Sequence, residues 1–368
     1  MFRKIEFFAL SSLFGILGSL SVGQTVSTPV VGFVKTTLAA GSDTVIAPQV
    51  LRPSELNSAV SGVSSTGSQA TLTLSGTTLT ANQFQYDANS QPKTYFALVT
   101  AGNLAGTYFM VASNTTSSIT VNLDGLTVGS SDVTSIEVRP CWTLATLFPA
   151  ADANVSFTPS ASAGGAARRT TILFPNITGA GINRAPASTY FFNNATGVQD
   201  WVATTATSTK AGNTAILPGT YVIHRNTGGT PVALSFTHSG SVMTQPLTTY
   251  VATDATKAND TYVALPRPSD YTLAQLGLTD SSFTQSTSKG GAGRRDTLLV
   301  IPQTGSGINR AATSTYFKYL NDWYSTASTT LATNNAVIPA GAAVIIRKVT
   351  SDGNDRTWTN SINVSLGN

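Results

Sequence analysis

Two pairs of adjacent arginines stand in nearly identical surroundings and are the side chains best suited to bind an anion. Arg168 and Arg169 close the segment "GGAARR", and Arg294 and Arg295 close the segment "GGAGRR". Guanidinium groups bind carboxylates and phosphates through paired N–H donors, so these loops could hold an acidic sugar or a phosphate. The same donors can also bind the carbonyl groups of a neighbouring turn and fasten a glycine-rich loop. The structural interpretation is the favoured one.

Aromatic residues recur with the arginines. Tyr190, Phe191 and Trp201 follow the first pair, and "TYF" and Trp323 follow the second. If they were exposed, Trp201 and Trp323 would be stacking platforms for a sugar, whereas buried rings would fill a β core. The core interpretation is favoured because aromatic side chains dominate β cores.

One segment near the C-terminus has a weak resemblance to a calcium site. Asp352, Asn354 and Asp355 lie close together in "SDGNDRTW", and Ca²⁺ prefers oxygen ligands. The spacing is not that of an EF-hand loop, and a solvated hairpin turn is the preferred interpretation. No other metal and no cofactor is predicted.

The residue types that usually perform catalysis are scarce. The two histidines, His224 and His238, have no recognisable partners, and the chain lacks a Gly-x-Ser-x-Gly elbow, a His-Glu-x-x-His helix and a P-loop. Asp200 or Asp322, each beside a tryptophan, could supply one carboxylate to a glycoside hydrolase, but a turn aspartate is the simpler interpretation. We therefore predict that the protein is not an enzyme, and a secreted hydrolase is the least favoured alternative.

The elements that position these residues come from an internal duplication. The segment from Gly164 to Phe192 reappears as Gly290 to Lys318, and Asp200-Trp201 reappears as Asp322-Trp323. Upstream, "RPSE" at Arg52 matches "RPSD" at Arg267, with a much longer stretch before the shared tail in the first copy. Such a repeat of about a hundred residues is typical of a whole folding unit.

The repeat predicts five segments. They are a signal peptide (1–23), the head strands of the first copy (24–54), an inserted β module (55–141), the tail β unit of the first copy (142–245) and a second copy with head and tail (246–368).

Composition and patterning predict an all-β protein made of antiparallel, sandwich-like or barrel-like modules. Apolar and polar residues alternate around Gly, Asn and Ser turns in stretches such as "SGVSSTGSQATLTLSGTTLT". Two short helices are expected, one in "WTLATLF" and one in "SDYTLAQLGL" with Ser269 as its N-cap. The single cysteine, Cys141, cannot form an internal disulfide, so stability must come from packing.

The first 23 residues have the pattern of a secretory signal: basic residues, an apolar run, then small residues. Cleavage before Gln24 would leave a chain without a transmembrane segment. Only 10% of the residues are charged and the net charge is +4, without a basic run that a nucleic acid would require. We therefore expect a secreted, extracellular or cell-surface protein, with the periplasm as an alternative location, and no nucleic-acid partner.

The segments "TPVVGFVKTTLAAGSDTVIAP", "WTLATLFPAADANVSFT", "GAGIN" and "ILPGTYVIHR" resemble those of an uncharacterised family of secreted, signal-bearing, β-rich proteins of verrucomicrobia and their relatives. The resemblance spans nearly the whole chain after the signal. It implies secretion and an all-β fold, and it carries no known activity.

These observations favour a non-enzymatic structural, matrix or adhesion protein of the cell surface. The alternative is a carbohydrate-binding protein that uses the repeated arginines and aromatics. Extracellular polysaccharide and other surface proteins are the partners that either function implies.

Overall fold

The computed structural model describes residues 30–328 and 334–360, so the predicted signal segment 1–23 lies outside the described residues. Strands and turns dominate these residues, and every pair of neighbouring strands is antiparallel. The predicted all-β, antiparallel fold is therefore confirmed. In these ranges, no helix has the length and apolar character needed to cross a membrane.

The strands are numbered along the chain. The head of the first unit contributes Val31–Leu38 (β1) and Ser42–Ile46 (β2). The insertion contributes Leu56–Thr66 (β3), Gln69–Leu74 (β4), Tyr95–Ala101 (β5), Tyr108–Asn114 (β6), Ser118–Asn122 (β7) and Ser135–Pro140 (β8). The tail of the first unit contributes Trp142–Thr143 (β9), Thr170–Phe174 (β10), Ser188–Asn193 (β11), Asp200–Ala203 (β12), Ala206–Lys210 (β13), Ala215–Ile216 (β14), Val222–Asn226 (β15) and Leu234–Ser241 (β16). The second unit contributes Leu247–Val251 (β17), Asn259–Ala264 (β18), Tyr271–Thr272 (β19), Thr297–Ile301 (β20), Ser314–Tyr319 (β21), Asp322–Ser325 (β22), Val337–Ile338 (β23), Ala343–Lys348 (β24) and Arg356–Asn360 (β25).

The main sheets of the two units have the same strand order. The first runs β13-β12-β11-β10-β15-β2, and the second runs β22-β21-β20-β24-β18. The small pairs also correspond, since β1-β16 matches β17-β25 and β9-β14 matches β19-β23. The stretch that would match β13 includes residues 329–333, which lie outside the described ranges. Both units therefore place their head strand, β2 or β18, at the same edge of the main sheet.

The insertion folds into a closed barrel with the order β3-β4-β7-β6-β5-β8. Alternation along its strands sends one face inward, as in β4, where Ala70, Leu72 and Leu74 are buried. Register shifts in β3, β5 and β6 mark bulges, which raise the local twist and help a short sheet to close. Apolar side chains, among them Phe84 and Phe109, fill the interior, so the barrel is a packed core.

The two expected helices are single turns. An α-helical turn, α1, spans Leu144–Leu147, and a 3-10 turn spans Ala274–Leu276. The prediction of Ser269 as the N-cap is wrong, because the turn begins further along the chain. Thr272 Oγ1 instead accepts a hydrogen bond from Gln275 N at 3.2 Å, and Gln275 Oε1 accepts one from Thr272 N at 2.8 Å. A capping box of the same design closes α1 between Thr143 and Thr146.

Each unit has its own aromatic core, and smaller apolar clusters join the parts. Val45, Tyr221 and Ala343 belong to a cluster between the two main sheets. The barrel is held to both units by a second cluster that includes Phe96 and Leu247. The backbones approach closely at this contact, since Thr248 N, in the second unit, donates to the carbonyl oxygen of Gly106, in the barrel, at 2.9 Å.

Candidate functional site

The first arginine of the first Arg-Arg pair is tied to the protein itself. Arg168 Nη2 donates to the carbonyl oxygens of Ala163 and Thr204 at 3.4 and 3.2 Å. Its guanidinium carbon lies 4.9 Å from the centre of the Phe191 ring, which is fully buried beneath it. These contacts fasten the glycine-rich loop to the neighbouring hairpin.

The second unit repeats this arrangement. Arg294 donates to the carbonyl oxygens of Lys289 and Thr326 at 3.2 and 3.3 Å, and its guanidinium carbon lies 4.9 Å from the centre of the buried Phe317 ring. Because the same carbonyl and ring partners recur in both copies, the duplicated loop has one shared structural role. The contacts agree with the structural interpretation and leave these two guanidiniums committed to the fold.

The second arginine of each pair is positioned by its backbone. Arg169 N and Arg295 N each donate to a serine Oγ at 3.0 Å, from Ser160 and Ser286 respectively. The Arg169 side chain lies against Gly229, where an added Cβ would come within 1.8 Å of Nη1. Arg295 is exposed. The two side chains therefore differ in surroundings, and the pairs do not form a common anion site.

Replacing Arg168 or Arg294 by alanine is expected to destabilise the protein by about 1–3 kcal/mol, since each change removes carbonyl hydrogen bonds and a cation–π contact. Thermal melting followed by circular dichroism measures the effect. Arg295→Ala is the matched control, because the exposed side chain is lost while its backbone hydrogen bond remains. Equal melting of all three variants and the parent would contradict the assignment.

The two recurring tryptophans lie in the cores and are not ligand platforms. Trp201 is 1% exposed and Trp323 is 2% exposed. Trp201 Nε1 donates to the carbonyl oxygen of Phe148 at 3.1 Å, so its polar atom is also used inside the protein. This burial agrees with the favoured core interpretation and leaves no ring face of either candidate open to a sugar.

The acidic segment near the C-terminus is a turn in which both aspartates accept hydrogen bonds from the protein. Asp352 Oδ2 pairs with Arg356 Nη2 at 2.7 Å, and this hydrogen bond helps to hold the pKa of Asp352 well below its usual range. Asp355 Oδ1 instead accepts from Thr253 N at 2.9 Å, and Asn354 contributes its backbone N–H to Asp352. Across the described ranges, no group of three His, Cys, Asp or Glu side chains is placed to hold a metal ion.

The histidines and the cysteine are all buried. Burial lowers the pKa of His224 and of His238 to about 4, and it raises the pKa of Cys141 to about 12. His224 Nε2 lies 2.9 Å from the carbonyl oxygen of Ser156, which can only accept, so the neutral ring donates there. At neutral pH both histidines are therefore uncharged and the Cys141 thiol keeps its proton, and all three side chains are shielded from solvent.

A reciprocal contact between the two units was not predicted from the sequence. The "GSGINR" loop of the second unit reaches the edge strand β2, where Asn309 N donates to Asp43 Oδ2 at 2.7 Å. Arg225 holds Asp43 through two hydrogen bonds of 2.7 and 2.8 Å and donates to Asn309 Oδ1 at 2.6 Å. One loop of the second unit is thus bound by an Asp–Arg pair of the first.

The "GAGINR" loop of the first unit makes the same contact with β18. Asn183 N donates to Asp260 Oδ2 at 2.9 Å, and Arg347 donates both to Asp260 and to Asn183 Oδ1. Asn183 and Asn309 both have a positive φ, of 50° and 51°, so the two loops share an unusual backbone conformation. The units are therefore joined as in a two-fold symmetric dimer, although they belong to one chain.

A cavity of about 410 Å³ lies between these loops. Its arginines are committed to the contact itself: Arg184 Nε donates to the carbonyl oxygen of Asn176, and Arg310 Nη2 donates to that of Pro302. Arg225 belongs to the ion pair with Asp43. This cavity is part of the joint between the units and offers few unengaged donors to a ligand.

A larger cleft, of about 590 Å³, opens where the barrel and the two units meet. The barrel contributes the start of β6 and the turn after β7, and the first unit contributes the turn Pro218–Thr220. The second unit contributes parts of β17, β18 and β25. Clefts at junctions between modules are common ligand sites, and this cleft is larger than the cavity between the two loops.

In comparisons with known proteins, no protein-family model, no curated protein and no solved structure matches this chain.

Proposed function

We propose that the protein is a non-enzymatic structural or adhesion component of an extracellular surface or matrix. The observation that carries the proposal is the reciprocal joint between the units, in which each Asn-containing loop is bound by the Asp–Arg pair of the other unit. Such a joint, together with the barrel packed against both units, stabilises one rigid arrangement of three modules. Rigidity of this kind suits a building block that presents a surface to other molecules.

Burial of the reactive side chains supports the non-enzymatic part of the proposal. His224, His238 and Cys141 are enclosed, and the carboxylates of Asp43, Asp260 and Asp296 are held in ion pairs. Groups that are shielded from solvent and already paired cannot take protons from a dissolved substrate. The proposed partners are extracellular polysaccharide or other surface proteins.

Fractionation of the native organism tests the proposed location. The protein is expected in the surface, matrix or medium fractions, with an N-terminus at or near Gln24 in its intact mass, because residues 1–23 have the pattern of a signal. Recovery from the cytosol with an uncut N-terminus would reject the proposal. Cleavage of a polysaccharide by the purified protein would reject its non-enzymatic part.

A further inference from the structure

The cleft between the barrel and the two units is a built feature of the fold. Its sides are fixed by backbone hydrogen bonds between modules, from Thr248 N to the Gly106 carbonyl oxygen at 2.9 Å and from Ala264 N to the Gly219 carbonyl oxygen at 2.8 Å. Gly106 has a φ of 93°, and an added Cβ would lie 3.0 Å from the carbonyl oxygen of Pro246. The close approach of the two backbones therefore needs glycine.

The side chains that line the cleft are rich in hydroxyl groups and lack positive charge. Nine of its 20 lining residues are Thr or Tyr, three are Asp, and none of them, within the described part of the chain, is Lys, Arg or His. Asp260 is neutralised by Arg347, whereas Asp124 is exposed on the turn after β7. An anionic ligand would find no counter-charge here, so the lining favours a neutral molecule that donates hydrogen bonds.

Asp355 is suited to accept such hydrogen bonds. Its Oδ1 accepts from Thr253 N at 2.9 Å, which fixes the carboxylate, and among the described residues no donor is bound to Oδ2. A carboxylate held by one oxygen and open at the other is a strong acceptor for a ligand hydroxyl.

Three half-buried tyrosines supply aromatic surface. The ring of Tyr262 is covered by the guanidinium of Arg184 at 5.0 Å, and Tyr108 packs edge-on against Phe96 at 5.8 Å. Tyr250 has neither a ring nor a cation against it in the described ranges, which leaves its ring as the one best placed to stack on a ligand. Burial raises the pKa of Tyr250, and Thr107 opposes that effect. The buried Tyr250 hydroxyl has no hydrogen-bond partner among the described residues.

We propose that this cleft binds a neutral saccharide, with Tyr250 as the stacking ring and Asp355 and Asp124 as acceptors for sugar hydroxyls. Saccharides present apolar C–H faces to aromatic rings and hydroxyl groups to carboxylates, which is the combination that the lining offers. The volume falls within the range of small-ligand sites, roughly 300–1,000 Å³. The choice of a polysaccharide as the natural ligand rests on the proposed extracellular location. The proposal that the cleft binds a saccharide rests on its lining residues alone.

Affinity electrophoresis of the purified chain in gels containing glucan, mannan, xylan or alginate tests this site. At least one neutral polymer is expected to retard the protein, and alginate, which is anionic, is not. Tyr250→Ala is expected to lower the affinity for the retarding polymer about tenfold, which is the effect of losing one good stacking contact. Asp355→Asn is expected to lower the same affinity several-fold. Tyr250→Phe, which keeps the ring, is expected to retain most of the binding.

The repeat provides a matched control. Phe33 precedes Val34 in β1 as Tyr250 precedes Val251 in β17, so the two residues occupy matching positions, and Phe33 is 69% exposed. Phe33→Ala is therefore expected to leave retardation unchanged, and thermal melting confirms that each variant is folded. The proposal is overturned if none of the neutral polymers retards the protein, if alginate retards it more strongly, or if folded Phe33→Ala and Tyr250→Ala lose binding equally. Each of these results can be obtained whatever the cellular location proves to be.

Discussion

Replacement of Trp201 by alanine is expected to lower the free energy of unfolding by about 3–5 kcal/mol, the usual effect of deleting a large buried aromatic side chain. The indole lies in the centre of the first unit, with the rings of Phe157 and Phe192 centred 4.9 and 5.8 Å away. Alanine would leave a cavity that these rings cannot fill without leaving their own contacts. It would also leave the carbonyl oxygen of Phe148 without its indole donor. Urea denaturation followed by fluorescence and circular dichroism measures the loss.

Trp323→Ala is expected to have an effect of the same order in the second unit, where the ring packs 5.2 Å from that of Phe283. Tyr86→Ala is the control, because Tyr86 is 47% exposed and its loss should barely change the melting temperature. Since each unit binds a loop of the other, unfolding of either unit would release contacts in both, and one cooperative transition is expected for each variant. A Trp201 or Trp323 variant that melts like the parent would show that these rings do not stabilise the cores.

The repeat in the sequence was sufficient to predict much of the architecture. It aligned Asp200-Trp201 with Asp322-Trp323, and these pairs occupy matching places in sheets of the same strand order. Alternation of apolar and polar residues predicted antiparallel strands because the side-chain period of a strand is two residues. The one-turn helices were also visible, but Ser269 was misjudged as a cap because a local Thr–Gln pair satisfies the turn instead.

The candidate site was much harder to predict. Repeated motifs contain both loop asparagines, Asn183 and Asn309, and the Asp–Arg pairs that bind them. The sequence does not show, however, that each loop binds the other unit and not its own. That choice depends on how two sheets pack, which is a tertiary property. The cleft was missed for the same reason, since Tyr250, Asp355 and Thr107 come from distant parts of the chain. The Arg-Arg loops drew attention because they are repeated, although their repetition reflects a shared structural role.

One buried polar cluster is charged in the second unit and uncharged in the first. In the second unit, Lys348 and Asp296 form a buried ion pair, and Lys348 Nζ also lies 3.3 Å from the carbonyl oxygen of Ser282. At the matching positions the first unit has Asn226, Thr170 and Ser156. There the Ser156 carbonyl oxygen is bound by His224, whose counterpart in the second unit is Ile346.

A side-chain acceptor at the start of the strand that follows the Arg-Arg loop is present in both units. Thr158 N donates to Thr170 Oγ1 at 2.9 Å in the first unit, and Thr284 N donates to Asp296 Oδ2 at 2.6 Å in the second. Each unit therefore satisfies the same backbone groups, one with a neutral set of side chains and the other with a charged set.

Single replacements in the charged set are expected to be strongly destabilising. Asp296→Thr would leave the buried ammonium of Lys348 without its counter-charge, and Lys348→Asn would leave the buried carboxylate of Asp296 alone. Breaking one side of a buried ion pair typically costs roughly 3–5 kcal/mol. Urea denaturation of each single variant measures the loss, and added salt should change it little because the pair is shielded from solvent. Asp352→Asn, which breaks the exposed pair with Arg356, is the control and is expected to leave melting nearly unchanged.

The double variant Asp296→Thr with Lys348→Asn is expected to recover most of that loss, because it restores neutrality with the residues that the first unit already uses. It would still lack a donor for the Ser282 carbonyl oxygen, a deficit of about 1–3 kcal/mol. Adding Ile346→His supplies the donor that His224 provides in the first unit, so the triple variant should be more stable than the double. A double variant whose loss equals the sum of the two single losses would show that the pair is not coupled. A triple variant no more stable than the double would show that the histidine and the lysine do not serve the same carbonyl.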